Sequence, residues 1–273
     1  MRRIATERWK GLRCALAALA CLCAFDAAAQ VSGTVGVVSD YRYRGYSLSD
    51  GDPAVQASVA YDWAQGAYTG LFASSADYGG ESGVQFVPYF GYARRDAQGR
   101  SWDVGVRYSH FSANDEADYV EVHGGVAWRR AALRMHYAPD YFGQVSNVYV
   151  ELDGSVPFGE RWRWLWHVGV AHSGRGANAY DPTPETPGGG SGGGGGDYDP
   201  NNARPARAFY YSEELRDDDR TRIDVRTGVS FTTRACDVQL TWQSIDGEDA
   251  TAYAVPWNPR DRSGWVLGCV YRW

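Results

Sequence analysis

Trp102-Asp103-Val104-Gly105-Val106-Arg107-Tyr108-Ser109-His110 places a large or apolar side chain at every second position. In an extended chain this period sets Trp102, Val104, Val106, Tyr108 and His110 on one face. Asp103, Gly105, Arg107 and Ser109 fall on the other. The same alternation recurs at 55–63 (Val55, Ala57, Val59, Tyr61, Trp63), at 162–170 (Trp162, Trp164, Trp166, Val168, Val170), at 223–231 and at 265–273. Working outward from 102–110, twelve such segments can be drawn: 31–45, 53–64, 67–76, 83–93, 101–111, 117–128, 132–140, 146–156, 161–172, 221–231, 235–244 and 264–273. Most are about 9–12 residues, enough for a tilted strand to cross a bilayer. An even number is what a closed antiparallel barrel with both ends at one rim requires. The fold expected is therefore all-β: a closed antiparallel transmembrane barrel of outer-membrane type.

The connections alternate in part. Gln65-Gly66, 129–131, 157–160 and 232–234 are short, 94–100 is slightly longer, and 46–52, 173–220 and 245–263 are longer still. Short turns at one rim and long loops at the other is the arrangement of outer-membrane barrels, although the connections after the third, fifth and seventh segments are also short. If odd segments run outward, Trp63, Trp102, Trp128, Trp162, Trp164 and Trp273 lie together at the short-turn rim, an aromatic girdle at the headgroup level. A secreted β-sandwich also alternates. Its polar face should carry mostly Thr, Ser and Lys, whereas here that face carries isolated Arg, Asp, Glu and His.

Composition narrows the classes further. The 273 residues include 27 Lys plus Arg against 33 Asp plus Glu, a net charge of −6 that argues against nucleic acid as a partner. Aromatics at 14% are too many for disorder. No run of about 18 apolar residues exists, so helical membrane spans are excluded. Residues 1–29 read as a signal peptide: Arg2, Arg3, Arg8, Lys10 and Arg13, then apolar 14–25, then Ala27-Ala28-Ala29. A lipoprotein signal ending at Cys21 fits less well. The barrel domain is then 30–273, and its only cysteines are Cys236 and Cys269, on the last two segments. They are a cross-strand disulfide if the register brings them together, and small wall residues otherwise. Export without a helical anchor leaves periplasm, outer membrane or medium, and the barrel pattern selects the outer membrane, with its lipid and lipopolysaccharide as surroundings.

Residues 39–56, Ser-Asp-Tyr-Arg-Tyr-Arg-Gly-Tyr-Ser-Leu-Ser-Asp-Gly-Asp-Pro-Ala-Val-Gln, closely resemble the opening of the TorF family of proteobacterial outer-membrane porins. The likeness extends over 31–173 and 221–273, most specifically in Asp-Tyr-Arg-x-Arg-Gly and Asp-Gly-Asp-Pro-Ala-Val-Gln. It implies a signal-bearing outer-membrane barrel with porin activity. The terminal Tyr271-Arg272-Trp273 is similar to the terminal aromatic signal read by the barrel-assembly machinery, with Trp273 where Phe is usual. The resemblance does not cover 174–220, a long extracellular loop with a Gly tract at 188–196 too poor in side chains to pack.

The inward face by this register carries Arg42, Arg44, Asp62, Asp103, Arg107, Glu121, His123, Arg134, His136, Tyr149, Glu151, Asp153, Arg163, His167, Asp224, Arg226, Asp237 and Arg272. As a wetted wall these make a constriction with a transverse field for small polar solutes. Because the charges nearly cancel, ion selectivity should be weak. Salt bridges that fill the interior and conduct nothing are the alternative, and a strand number between eight and sixteen does not decide. No catalytic residue, metal or cofactor is expected. His123, His136 and His167 lie on different strands with no i, i+2 pair to concentrate a metal site. Asp197-Tyr198-Asp199-Pro200-Asn201 opens like a calcium loop but lacks the later Gly and Glu, and the acidic residues at 213–219 read as an exposed loop. His110-Phe111-Ser112 faintly resembles the His-x-Ser motif of outer-membrane lipid A deacylases, which makes a lipid hydrolase a third reading. A Ser–His pair needs a third group to orient the imidazole. The nearest strand acid, Glu121, points inward, so the discriminating feature is a carboxylate approaching His110 on the outer face.

Overall fold

The computed structural model describes residues 30–78, 81–174, 221–246 and 263–273. Residues 1–29, expected as a signal peptide, residues 79 and 80, residues 175–220, expected as a long loop with the Gly tract, calcium-like run and acidic residues, and residues 247–262 lie outside the described residues. Twelve strands form the closed barrel: β1 (Gln30–Val38), β2 (Ala54–Asp62), β3 (Ala67–Tyr78), β4 (Glu81–Arg95), β5 (Ser101–Phe111), β6 (Tyr119–Ala127), β7 (Ala131–Tyr141), β8 (Val145–Pro157), β9 (Trp162–Ser173), β10 (Thr221–Thr232), β11 (Asp237–Ile245) and β12 (Ser263–Arg272). Each pairs antiparallel with its sequence neighbour. β1 closes the ring on β12 through Thr34↔Arg272 to Val38↔Gly268. Among the described residues the barrel ring has no open strand edge, which removes the usual route to edge-to-edge aggregation.

The barrel is dressed inside out relative to a water-soluble domain. On β5, Trp102 is 50% exposed and Val104 58%, while the alternate Ser109 is buried. Across the wall Glu121, Gln85, Asn147, His136 and Asp224 are buried and the outward Val, Leu, Phe and Tyr residues are exposed. A sandwich does the reverse, burying the apolar face between two sheets, so that alternative falls. Short turns at 63–66, 96–100, 128–130, 158–161 and 233–236 mark one rim. Trp63, Trp102, Trp128, Trp162, Trp164 and Trp273 all stand exposed beside it. Cys236 and Cys269 also lie near this rim. The register puts Cys269 opposite Val238 and not opposite Cys236, yet the two thiols meet diagonally with Sγ atoms 2.8 Å apart, unbonded.

One expected segment is corrected. The chain from 31 to 45 is not a single strand, because β1 ends at Val38 and the following residues leave the wall. Arg42–Tyr43 and Tyr46–Ser47 form a separate two-stranded hairpin. Arg42 and Arg44 therefore sit on this inserted hairpin and not on a barrel strand. The reason is local turn chemistry that outweighs the alternation. Arg44 (φ 50°) and Gly45 (φ 85°) are both left-handed, the two-residue turn whose twist suits a tight hairpin. Gly45 is required twice over, since a Cβ there would also stand 2.7 Å from Cβ of Ile245. A second turn of this kind follows at Asp50 (φ 53°) and Gly51 (φ 82°), closed by Asp52 N–H donating to Ser49 O.

Candidate functional site in the barrel lumen

The hairpin hangs from the long-loop rim into the lumen, and Asp40 pins its base. The buried Asp40 carboxylate accepts from Arg42 Nε (2.5 Å), Ser47 Oγ (2.5 Å) and Ser49 Oγ (3.3 Å). Around its outer part an apolar cluster fills the mouth: Leu48, Phe111, Ala117, Tyr119, Ala138, Tyr141, Phe142 and Val145, with Tyr41, Tyr43 and Tyr46 packed against them. Among the described residues the buried apolar cluster thus lies at one end of the barrel. The burial of these rings pushes the hydroxyls of Tyr43 and Tyr46 above the ordinary tyrosine range, Tyr46 to about 12, so both stay neutral; the Tyr43 oxygen accepts from Arg107 Nη2.

At the hairpin tip Arg44 reaches across the lumen. Its Nη2 lies 2.5 Å from Glu121 Oε2 and its Nη1 donates to Asn147 Oδ1 at 3.3 Å. The guanidinium also lies 4.1 Å over the ring of Tyr149 and 5.1 Å over that of Tyr141. Glu121 is the hub: Arg107 Nη2 and His136 Nδ1 (2.8 Å) contact its other oxygen. His136 Nε2 passes the chain on to Glu151 (3.1 Å). Beside it, His167 stands between Asp153 (2.8 Å) and Asp224 (2.9 Å), Tyr149 bonds Asp224, and Arg226 bonds Asp153 (3.0 Å). Buried charges survive only when paired in this way, because desolvation costs several kcal/mol per ion.

The expected lumen residues separate into three groups. Arg44, Arg107, Glu121, His136, Glu151, Asp153, His167, Asp224 and Arg226 join in the network around the hairpin tip. Asp62, Asp103, His123 and Arg134 line a cavity of about 540 Å³ on the short-turn side. There Arg134 and His123 each lie 3.4 Å from Asp103. Arg163 is exposed at the short-turn rim, and Asp237 there pairs with Arg272 at 3.2 Å. A cavity of about 240 Å³ runs between the hairpin and the wall of β1, β12 and β11, lined by Arg42, Gln56, Gln239, Thr241 and Gln243 among others. Sequence reasoning missed Asp40, Tyr43, Asn147 and Gln85. Arg-Gly between two tyrosines was the available signal, a hairpin turn inside what read as one long strand. Glu151, Asp153 and His167 offer ligand atoms within 4.8 Å of one another. Both nitrogens of His167 lie against carboxylates, Nδ1 at 2.8 Å from Asp153 and Nε2 at 2.9 Å from Asp224.

On the outer face the expected discriminator is present. Glu121 does point inward, but Asp118, just before β6, brings its Oδ2 to 2.6 Å from His110 Nδ1. Strand periodicity could not show this, because Asp118 belongs to the turn.

The fold and lumen define an outer-membrane-type β-barrel with an inserted, ion-paired hairpin. The chain belongs to the family described as "Bacterial protein of unknown function (Gcw_chp)", whose model matches residues 24–184. No curated protein matches the chain in sequence. Among solved structures it is similar to the NanC porin (9% identity, TM-score 0.48, covering 89% of this chain and 99% of that one) and the KdgM porin (8%, 0.47, 88% and 98%). LpxR from Salmonella typhimurium is also similar (8%, 0.43, 89% and 99%).

Proposed function

We propose that this protein is an outer-membrane pore of the TorF kind for passive diffusion of small hydrophilic solutes, with the 39–53 hairpin setting its bore. The supporting observation is the pair of cavities flanking the hairpin, about 240 Å³ beside it and about 540 Å³ on its short-turn side. The first is lined by Gln56, Gln239, Thr241 and Gln243 together with Asp40, Arg42 and Arg226, and the second also carries both charge signs, so the pore discriminates weakly between anions and cations. Exposed Val, Leu and aromatic side chains around the closed ring fit contact with outer-membrane lipid, and Trp273 fits recognition by the barrel-assembly machinery. Single-channel recording of the refolded protein, repeated over a series of sugar sizes, tests the pore. A strong preference for one ion sign contradicts the face assignment.

A second reading, a filled barrel serving as a structural surface protein, has its own observation. The Arg44 and Glu121 side chains, 4% and 1% exposed, meet across the lumen while aromatic rings occupy the mouth. Absence of conductance in a folded, inserted barrel favours it.

A further inference from the structure

We propose that Ser112, His110 and Asp118 form a nucleophile, its general base and the group that orients the base, and that the barrel cleaves fatty-acyl esters of lipids at its long-loop rim. This site is outside the lumen and independent of the pore.

The three residues come together through the turn after β5. Asn114 caps a one-turn 3-10 helix, Asp115–Ala117, by accepting Glu116 N–H. The helix turns the chain back so that Asp118 meets the end of β5. The Asp118 carboxylate is then held by three donors: His110 Nδ1 (2.6 Å) and the Tyr108 hydroxyl (2.5 Å) on Oδ2, and Phe111 N–H (2.8 Å) on Oδ1. With Nδ1–H donated to a carboxylate, the imidazole keeps its lone pair on Nε2. Nε2 has no hydrogen-bond partner among the described residues. The ring stacks with Phe86 (centroids 6.4 Å apart) and Tyr108 (6.3 Å), which fixes its plane.

Ser112 follows His110 by two residues, in the turn that begins where β5 ends at Phe111, and is exposed at the same rim. Its Oγ accepts Val84 N–H at 2.8 Å, which anchors the oxygen and leaves the hydroxyl proton free to be given to a base. Catalytic hydrogen bonds of this type are often long before substrate arrives. The N–H of Ala113, next after the serine, makes no hydrogen bond among the described residues and is available to an oxyanion. A rim histidine that merely touches headgroups needs no buried carboxylate. Here Asp118 is only 14% exposed, on the lipid side of a barrel, where an ionised group is costly.

The location defines the substrate. Phe86, Val106 and Tyr108 are exposed beside the site and face the same way, so it is approached from the membrane and not from the lumen. Ser112 Oγ attacks the ester carbonyl carbon while its proton passes to His110 Nε2. The bond from that carbon to the alcohol oxygen breaks, and Nε2 returns the proton to the departing oxygen. A water molecule, deprotonated by Nε2, then hydrolyses the acyl-serine, releasing the fatty acid and restoring Ser112.

The test uses full-length protein refolded into two vesicle types, phospholipid alone and phospholipid with lipopolysaccharide. Free fatty acid is measured by mass spectrometry, and labelling of Ser112 by a long-chain fluorophosphonate is measured in parallel. The expected result is release in at least one vesicle type, the two arms identifying the source of the acyl ester, and an adduct mapped to Ser112. Ser112→Ala should abolish both. Asp118→Asn should lower kcat by about 10²-fold or more with little change in KM. His110→Asn should remove activity while heat-modified gel migration still reports a folded barrel. The proposal is overturned if the folded wild-type protein releases no fatty acid and takes up no fluorophosphonate, or if Ser112→Ala keeps the wild-type rate.

Discussion

Arg44→Ala is the substitution that isolates the hairpin. The side chain gives up an ion pair with a carboxylate that is 1% exposed, a hydrogen bond to Asn147 and cation–π contacts with Tyr149, Tyr141 and Tyr43. Removing one partner of a buried pair costs about 3–5 kcal/mol. Glu121 keeps Arg107 and His136 as partners, so the lower end, about 3 kcal/mol, applies. Each 1.4 kcal/mol is about tenfold, so the equilibrium between docked and undocked hairpin shifts by about 10². The ring of twelve strands does not depend on this contact, and the barrel should still fold. Single-channel recordings should then show larger or more frequent openings and admit larger sugars than wild type. Arg44→Lys, which keeps the charge but not the planar fork, should fall between them. A folded Arg44→Ala barrel with wild-type conductance, exclusion size and melting temperature refutes the assignment of the hairpin as the constriction.

Three further outcomes follow from other parts of the molecule. Val106→Arg, on the outward face in the middle of β5, should cost about 2–4 kcal/mol in urea unfolding from lipid, against a small loss for Val106→Ala; equal effects contradict a lipid-facing wall. In the β4–β5 turn, slight desolvation raises the Asp96 pKa, but hydrogen bonds from Arg100 and Trp102 outweigh it and bring the pKa down from 3.8 to about 2. The turn's extra stability is therefore present above pH ~4 and fades between about 4 and 2, and Asp96→Asn should remove that pH dependence from Trp102 fluorescence. Cys236 and Cys269, with Sγ atoms 2.8 Å apart, should lose both titratable thiols to a disulfide oxidant such as oxidised glutathione; persistence of two free thiols in the folded protein contradicts the geometry.

Period-two alternation made the wall legible. All twelve expected segments overlap the strands of the ring, because a strand between lipid and a polar lumen must change chemistry at every residue. The inward parity of Glu121, His136, Glu151, His167 and Asp224 could be read the same way. The hairpin could not, because alternation continues through Tyr41-Arg42-Tyr43 while the backbone has already left the wall. Only the turn residues Arg44-Gly45 and Asp50-Gly51 report that departure. Asp118 was illegible for a similar reason. It is placed by a one-turn helix that brings it back against His110, and nothing in strand periodicity encodes that return.

The family match and the hairpin's contacts also bear on each other. The matched residues, 24–184, contain the hairpin itself and the wall residues that hold its tip, Arg107, Glu121, Asn147 and Tyr149. They also contain the whole aromatic cluster at the mouth. The opposite wall, β10 to β12, lies beyond the match, and it borders the cavity between hairpin and barrel through Gln239, Thr241 and Gln243. The Arg44 tip is therefore held by wall residues that the family model spans, whereas the cavity of about 240 Å³ beside the hairpin is bordered also by Gln239, Thr241 and Gln243, which take no part in the Arg44–Glu121 contact. Docking and bore are thus separable. Gln239→Trp or Gln243→Trp should narrow conductance while leaving the Arg44–Glu121 contact and the melting temperature in place, whereas Glu121→Gln should loosen the hairpin without touching the open side. If both kinds of change alter stability and conductance together, hairpin and cavity are one packed unit, and the filled-barrel reading gains the ground that the pore loses.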